Sequence, residues 1–284
     1  MSGNPVSGGS VSSPESGGSV SSPELNSTGP LRGNLLDGRT VLVTGAAGGV
    51  GAGIVLACAA QGANVVITAR VADDAAPVAE TVVAEGGRSM VVECDVTRRA
   101  DVDRAVEAAV ERFGGLDVMV HNAIGTVGPP RDVGEVPEET WRTMMDTAVG
   151  ASFSCAQAAY PHLAARRGSL VFLVSTAGVE GNRWLPAYGV VKGAQRGLAK
   201  SLAREWGPAG VRVNCLAPLA LTPAMERTYR ENPVLEERLL ARTPLRRVGD
   251  PTRDIGSAAV FLASELSCYV TGQTLVATGG GYMA

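Results

Sequence analysis

Thr40-Val41-Leu42-Val43-Thr44-Gly45-Ala46-Ala47-Gly48-Gly49-Val50-Gly51 runs an apolar, β-branched stretch into a glycine cluster, followed by the helix-compatible Ile54-Val55-Leu56-Ala57. A strand that passes through glycines into a helix is the entrance to a βα unit. Glycine suits such a turn because a Cβ would hold the backbone away from a pyrophosphate, which then rests on the positive N-terminus of the next helix. Gly45, Gly49, Val50 and Gly51 are therefore candidate dinucleotide contacts. A glycine pattern alone is a weak signal; its position between strand and helix is the context that such a fingerprint requires.

Outward from this turn, short β-branched runs alternate with longer amphipathic stretches. The pattern predicts strands at 40–44, 64–68, 89–93, 118–122, 169–175, 212–216 and 274–277, with helices at 51–61, 75–85, 99–113, 138–166, 187–206 and 251–264. The expected fold class is α/β: a Rossmann-type doubly wound parallel sheet of about seven strands with helices on both faces, in one domain over 35–284. Residues 219–247 break the rhythm and read as a small helical substrate flap. Residues 1–34 are rich in Ser, Gly and Pro and carry SGGSVSSPE twice, at 7–15 and 16–24. Such a segment buries too little apolar surface to offset its ordering entropy, so a disordered tail is expected there.

Composition narrows the function. The 284 residues carry a formal net charge of −3 without a basic stripe, which gives no sign of a nucleic-acid partner. Apolar runs break well before the ~20 residues of a bilayer span, and no basic-then-apolar leader is present, so a cytoplasmic protein with no membrane partner is expected. Five scattered cysteines without a CxxC pair suggest reduced core thiols, and two histidines, His121 and His162, leave no multi-histidine metal site.

The second predicted strand ends at Ala69-Arg70, where an NAD-preferring chain usually carries an acid for the ribose 2′-hydroxyl. An apolar residue beside a cation leaves room and charge for a 2′-phosphate, so NADP(H) is the expected cofactor, with NAD(H) as the alternative. Asp95, closing the third strand, suits either the adenine amino group or an N-cap of the following helix. At the other end of the sequence, Ser175 precedes Tyr188 by thirteen residues and Lys192 follows Tyr188 by four. A phenol with an ordinary pKa near ~10 needs a cation to act near neutrality, and a spacing of four places Lys192 on the same helix face.

The glycine stretch, Asp95, Val120-His121-Asn122-Ala123, Ser175, Tyr188, Lys192, the 214–218 stretch, Thr271-Gly272-Gln273 and Gly279-Gly280 together resemble the short-chain dehydrogenase/reductase family, over residues 36–283. The resemblance implies a small-molecule ketone or secondary alcohol as substrate. It makes Tyr188 the general acid/base and Ser175 the group that orients the carbonyl, while Lys192 lowers the Tyr188 pKa and holds the nicotinamide ribose. It places Val96, Asn122, Ala123, Pro218 and Thr222, with Tyr188 and Lys192, against the cofactor. It also implies a homo-oligomer, dimer or tetramer, built from the helices at 138–166 and 187–206.

Three positions depart from the family. Ala148 stands where the family carries an active-site Asn, and Ile124 and Leu219 replace pocket glycines; a drier, reshaped pocket is expected. A non-redox or regulatory role is the alternative to hydride transfer. Ile124, Trp184, Leu219, Met225 and Tyr229 are candidate substrate contacts. His121 reads as a packed strand-end residue.

Overall fold

The computed structural model describes residues 29–125 and 127–283, the side chain of Ala224 aside. Seven strands form one all-parallel sheet: β1 (Thr40–Val43), β2 (Asn64–Ala69), β3 (Arg88–Glu93), β4 (Val118–His121), β5 (Ser169–Leu173), β6 (Arg212–Pro218) and β7 (Thr274–Ala277). Their order, β3-β2-β1-β4-β5-β6-β7, reverses direction between β1 and β4. In a doubly wound sheet that reversal opens a crevice beyond the strand C-termini, so the topology alone locates the site.

Alternate residues of each strand feed opposite faces. On one side Leu42, Met119, Leu170 and Phe172 pack under α3 (Arg99–Phe113), α5 (Ala151–Arg166) and α7 (Pro186–Trp206). On the other, Val41, Val43, Val65 and Ile67 pack under α1 (Gly49–Ala59), α2 (Ala72–Ala84) and α10 (Ser257–Ala263). Strands buried on both faces need near-continuous apolar runs, which is why β1 and β2 carry them. Burying each Val or Ile is worth about 1.5–3 kcal/mol, and the two clusters together anchor the crevice from both sides.

The predicted elements are all present, most with shifted ends. The predicted 138–166 helix is α4 (Glu138–Met144) and α5 joined by a π-helical turn at Met145–Gly150, and the predicted 251–264 helix likewise begins with a π turn at Pro251–Gly256 before α10. A short α6 (Ala177–Glu180) follows β5. The 219–247 segment folds as α8 (Pro223–Glu231) and α9 (Pro233–Arg242), and Arg247 grips Asp254 at its return.

The SGGSVSSPE repeats lie outside the described residues. The expected tail boundary at 34 needs correction, because residues 31–33 are tied down. Gln61 donates from Nε2 to the Leu31 carbonyl at 2.6 Å, Gly33 N–H bonds the Ala60 carbonyl at 3.0 Å, and Arg32 pairs with Glu85 at 3.0 Å. No helix among the described residues is long and apolar enough to cross a membrane. Cys58, Cys94, Cys155 and Cys215 are buried free thiols, and Cys268 is an exposed one.

Candidate active site

A cleft of about 690 Å³ opens at the C-terminal ends of β1 and β4. It runs from Gly45, Ala47 and Val50 past Ala69, Arg70, Asp95 and Val96 to Asn122, Ala123, Ile124 and Tyr188, with Thr222 on its rim. Backbone crowding explains the glycines. Gly45 has φ +63°, a left-handed conformation, and a Cβ there would lie 2.8 Å from Ala123 Cα. A Cβ on Gly51 would lie 2.6 Å from Asn122 Nδ2 and 2.8 Å from the Gly45 carbonyl.

Asn122 clamps this turn. Its Nδ2 donates to the Thr44 and Gly45 carbonyls at 3.0 and 2.9 Å, and its backbone N–H donates to Thr44 Oγ1 at 3.0 Å. The side chain therefore shapes the loop that would take the pyrophosphate, and it remains on the cleft wall. Asp95 is not the N-cap of α3, whose cap is Arg98. Its Oδ1 instead accepts from the Thr97 N–H and hydroxyl at 3.0 and 2.7 Å, and these bonds hold the carboxylate below its usual range. Short polar side chains commonly close such local turns.

Past the nucleotide end, β5 stops at Leu173 and releases Ser175, which hydrogen-bonds the Tyr188 hydroxyl from the first turn of α7. Pro186 suits the N-terminus of this helix, where its missing N–H has no intrahelical partner to lose. Burial pushes the Tyr188 hydroxyl above its ordinary range, and the Ser175 bond offsets part of that rise. The expectation that Lys192 lowers the Tyr188 pKa is not met. Lys192 Nζ lies 5.7 Å from the Tyr188 ring centroid and bonds the Leu173 carbonyl at 2.6 Å and Gln195 Oε1 at 2.9 Å. Backbone and amide acceptors compete for the ammonium, and burial draws its pKa down to about 7.

The family model described as "Enoyl-(Acyl carrier protein) reductase" matches residues 45–282. Dehydrogenase/reductase SDR family member 4 of Bos taurus is 36% identical over 256 residues, 89% of this chain and 91% of that protein. A 3-oxoacyl-(acyl-carrier-protein) reductase FabG of Staphylococcus epidermidis is 34% identical over 86% of this chain and 99% of its own length. A solved structure of a 7α-hydroxysteroid dehydrogenase complexed with NADH and 7-oxo glycochenodeoxycholic acid superposes with a TM-score of 0.81 at 32% identity, covering 88% of this chain and 97% of that one. The chain belongs to the short-chain dehydrogenase/reductase family.

Membership makes it an oxidoreductase of hydroxyl and carbonyl groups that works with a nicotinamide cofactor; the non-redox alternative raised by Ala148 is not favoured. Against that family frame the three departures separate. Ile124 lines the cleft. Ala148 is fully buried behind it in the π turn, packed with Met144, Ala187 and Val191, and presents only its carbonyl to polar groups. Leu219, a candidate substrate contact, does not border this cleft: it lines a separate cavity of about 110 Å³ with Leu245, Arg247, Ile255 and Gly279. Its backbone bonds Ala277 and Gly249, which turns the residue toward β7.

Of the other candidates, Trp184 shares a small hollow with Tyr188, Val127, Thr140 and Met144. Tyr229 belongs elsewhere, in a flap recess with Leu221, Glu226, Arg230, Pro233 and Glu236. Met225 serves locally, donating its N–H to Thr222 Oγ1 at the cap of α8. Thr222 itself reaches the glycine loop, since a Cβ on Gly49 would lie 3.5 Å from Thr222 Cγ2. Pro218 ends β6 and does not border the cleft that holds Tyr188.

Sequence reasoning missed Thr143 and Thr147, which line the cleft, although their spacing of four on a predicted helix was a usable sign. Thr147 Oγ1 also accepts the Gly125 N–H at 2.9 Å and so fixes the loop beside Ile124. It also missed Asp74, which borders the cleft near Arg70. His121 packs as expected: it is fully buried, its Nδ1 lies 3.0 Å from Thr44 Oγ1, and burial with Lys192 nearby draws its pKa down to about 3.

Proposed function

We propose that this chain is an NADP(H)-dependent reductase of ketones, and dehydrogenase of the matching secondary alcohols, in which residues 35–284 act as one catalytic unit with a flap at 219–247. The observation that carries the reading is one continuous cleft that joins a glycine turn with no room for Cβ atoms to a phenol hydrogen-bonded by Ser175. The turn fits a dinucleotide: Gly45, Gly49, Val50 and Gly51 would take the pyrophosphate at the start of α1, Val96 and Ala123 would flank the adenosine and nicotinamide ends, and Thr222 would cover the loop.

A bound nicotinamide supplies the hydride or accepts it. Ser175 and Tyr188 present two hydroxyls to one carbonyl oxygen, so the carbonyl is polarised and aligned before the proton moves. Tyr188 gives its proton to that oxygen as it becomes an alkoxide. A phenol held above its ordinary range is fully protonated at neutral pH, which suits reduction; alcohol oxidation, which starts from the tyrosinate, gains as pH rises. Lys192 keeps one N–H beyond its two protein acceptors and would offer it to the ribose.

Arg70 supports NADP(H). It is exposed at the cleft and pairs with no carboxylate among the described residues, so its charge is available to a 2′-phosphate. Apolar Ile124, Val127 and Met144 around Tyr188 support a ketone of largely hydrocarbon character. A homo-oligomer, dimer or tetramer, is supported by Phe153 on α5 and Val190 on α7, which are 54% and 56% exposed on the expected interface helices.

NADPH oxidation with a panel of cyclic and aromatic ketones tests the reading. Tyr188→Phe should lower kcat by about 10²–10⁴-fold while leaving nucleotide affinity in place. No ketone-dependent turnover across the panel would overturn it. Arg70→Glu should raise the Kd for NADPH by about 10-fold or more and leave that for NADH nearly unchanged, because it removes one charge-assisted contact and adds repulsion. Equal effects on both cofactors would sink the NADP(H) preference.

A further inference from the structure

Behind Lys192 the site is closed by a polar cluster that takes no part in the reaction scheme. Gln195, one turn along α7, is 1% exposed. Its Oε1 accepts from Lys192 Nζ at 2.9 Å, and its Nε2 donates to Ser152 Oγ at 2.8 Å and to the Ala148 carbonyl at 3.3 Å. Ser152 in turn donates to the Ala148 carbonyl at 2.6 Å.

This network permits only one amide orientation. The Ala148 carbonyl can only accept, and Ser152 has already spent its hydrogen on that carbonyl. The amide nitrogen must therefore face them and the amide oxygen must face Lys192. An amide passes no proton at neutral pH, so the arrangement is a clamp on the ammonium and not a relay. Of three N–H donors on the ammonium, the Leu173 carbonyl takes one and Gln195 another, which fixes the direction left for the third.

We propose that Gln195 is a positioning residue for Lys192, anchored on Ser152 and the bare carbonyl of Ala148. The proposal rests on the reading of Lys192 as a group of the reacting site. The other groups that face Lys192 bring no formal charge near neutrality. His121 on β4 stays neutral down to about 3, Cys215 on β6 has its thiol pushed up to about 12, and Tyr188 on α7 is protonated. Gln195 and Leu173 are thus the two acceptors that favour the charged form. Burial already draws Lys192 down to about 7, so losing one acceptor is felt in the neutral range.

The sequence offers a clean readout, because it contains two lysines, Lys192 and the exposed Lys200. With lysine-labelled full-length protein and a Lys200→Arg background, NMR follows the Lys192 titration without reference to turnover. Gln195→Met should lower the Lys192 midpoint by about one pH unit. In ketone reduction the high-pH limb should move down by the same amount, with kcat falling more than KM rises. Gln195→Glu, which keeps an acceptor at that atom and adds charge, should move the midpoint up. Ser152→Ala, which frees the amide without touching Lys192, should lower it by less than Gln195→Met. A folded Gln195→Met protein with an unshifted Lys192 midpoint would overturn the proposal. Should that variant not fold, an unshifted midpoint in Ser152→Ala overturns it equally. If wild type turns over no ketone but the midpoints move as stated, the clamp stands and the functional reading alone falls.

Discussion

The glycine turn in front of the cleft and the polar cluster behind Lys192 are built on opposite principles. The turn is a backbone structure: Gly45 packs on Ala123, and Gly51 on Asn122, Gly45 and Ala46, at distances that leave no room for a Cβ, and the Asn122 amide pins the Thr44 and Gly45 carbonyls. The cluster is a side-chain structure, in which Gln195 from α7 meets Ser152 and the Ala148 carbonyl, one turn apart on the continuous π turn and α5, only because the two helices pack there. A backbone site tolerates no added atom. A side-chain site tolerates exchange as long as donors and acceptors still balance.

The largest effect should come from breaking the first kind of site. Gly51→Ala places a Cβ against Asn122 Nδ2, the Gly45 carbonyl and Ala46 Cα, all within 2.9 Å, and none of these is the loose end of a flexible chain. Overpacking of this type costs about 1–3 kcal/mol. Thermal unfolding should fall by roughly 3–10 °C, and NADPH affinity measured by fluorescence titration should drop more than 10-fold. Wild-type affinity in Gly51→Ala would mean that the turn does not carry the nucleotide.

The same contrast explains what could be read from the chain. Strand 274–277 and helix 99–113 match the structure because their periodicity is local. The glycine turn was legible for the same reason, since β-branched run, glycines and helix follow one another in sequence. Ser175, Tyr188 and Lys192 were legible as a spacing, but the direction in which Lys192 points was not, because its acceptors lie on β5 and one turn further on. Gln195 reads as an ordinary polar position on an amphipathic helix; only packing reveals it as buried. Leu219 was assigned to the pocket because it replaces a glycine that the family keeps there, yet successive residues along an extended strand face opposite ways. The π turn at Met145–Gly150 lies within a stretch whose helical pattern is unbroken.

The cluster behind the site can also be probed through pH, with a smaller effect. His121 has an unfolded pKa near ~6.5 and a folded value of about 3, so below about 6.5 the unfolded chain takes up a proton that the folded one refuses. Its contribution is fully present above 6.5 and is lost as pH falls toward 3. Lys192, lowered from 10.5 to about 7, exerts its pH dependence between those values and none below. The carboxylates held low, Asp95, Asp101 and Asp254, begin to matter only near and below 3.8. Between pH 6.5 and 4.5 the slope therefore reports His121. Wild-type Tm should fall by on the order of 5 °C across that window, and His121→Asn should flatten the slope whatever its absolute stability. An equally steep slope in the variant would show that His121 is not held neutral.

The mildest test sets the departures at Ile124 and Leu219 against each other. Ile124 borders the cleft beside Gly125 and Thr147, whereas Leu219 faces a cavity with Leu245, Arg247 and Ile255. Trimming Ile124 to Ala removes apolar surface from the wall that a ketone would touch, worth about 1–2 kcal/mol and so roughly 5–30-fold in KM for a bulky apolar substrate. Trimming Leu219 to Ala opens space on the far side of the β6–β7 edge and should leave KM within a factor of about two, because no atom of the substrate wall changes. Its cost should appear as a lower Tm instead, through the enlarged cavity. If steady-state kinetics showed Leu219→Ala raising KM more than Ile124→Ala, the substrate would have to enter beneath the flap, on the β7 side, and the cleft wall drawn through Ile124 would be wrong.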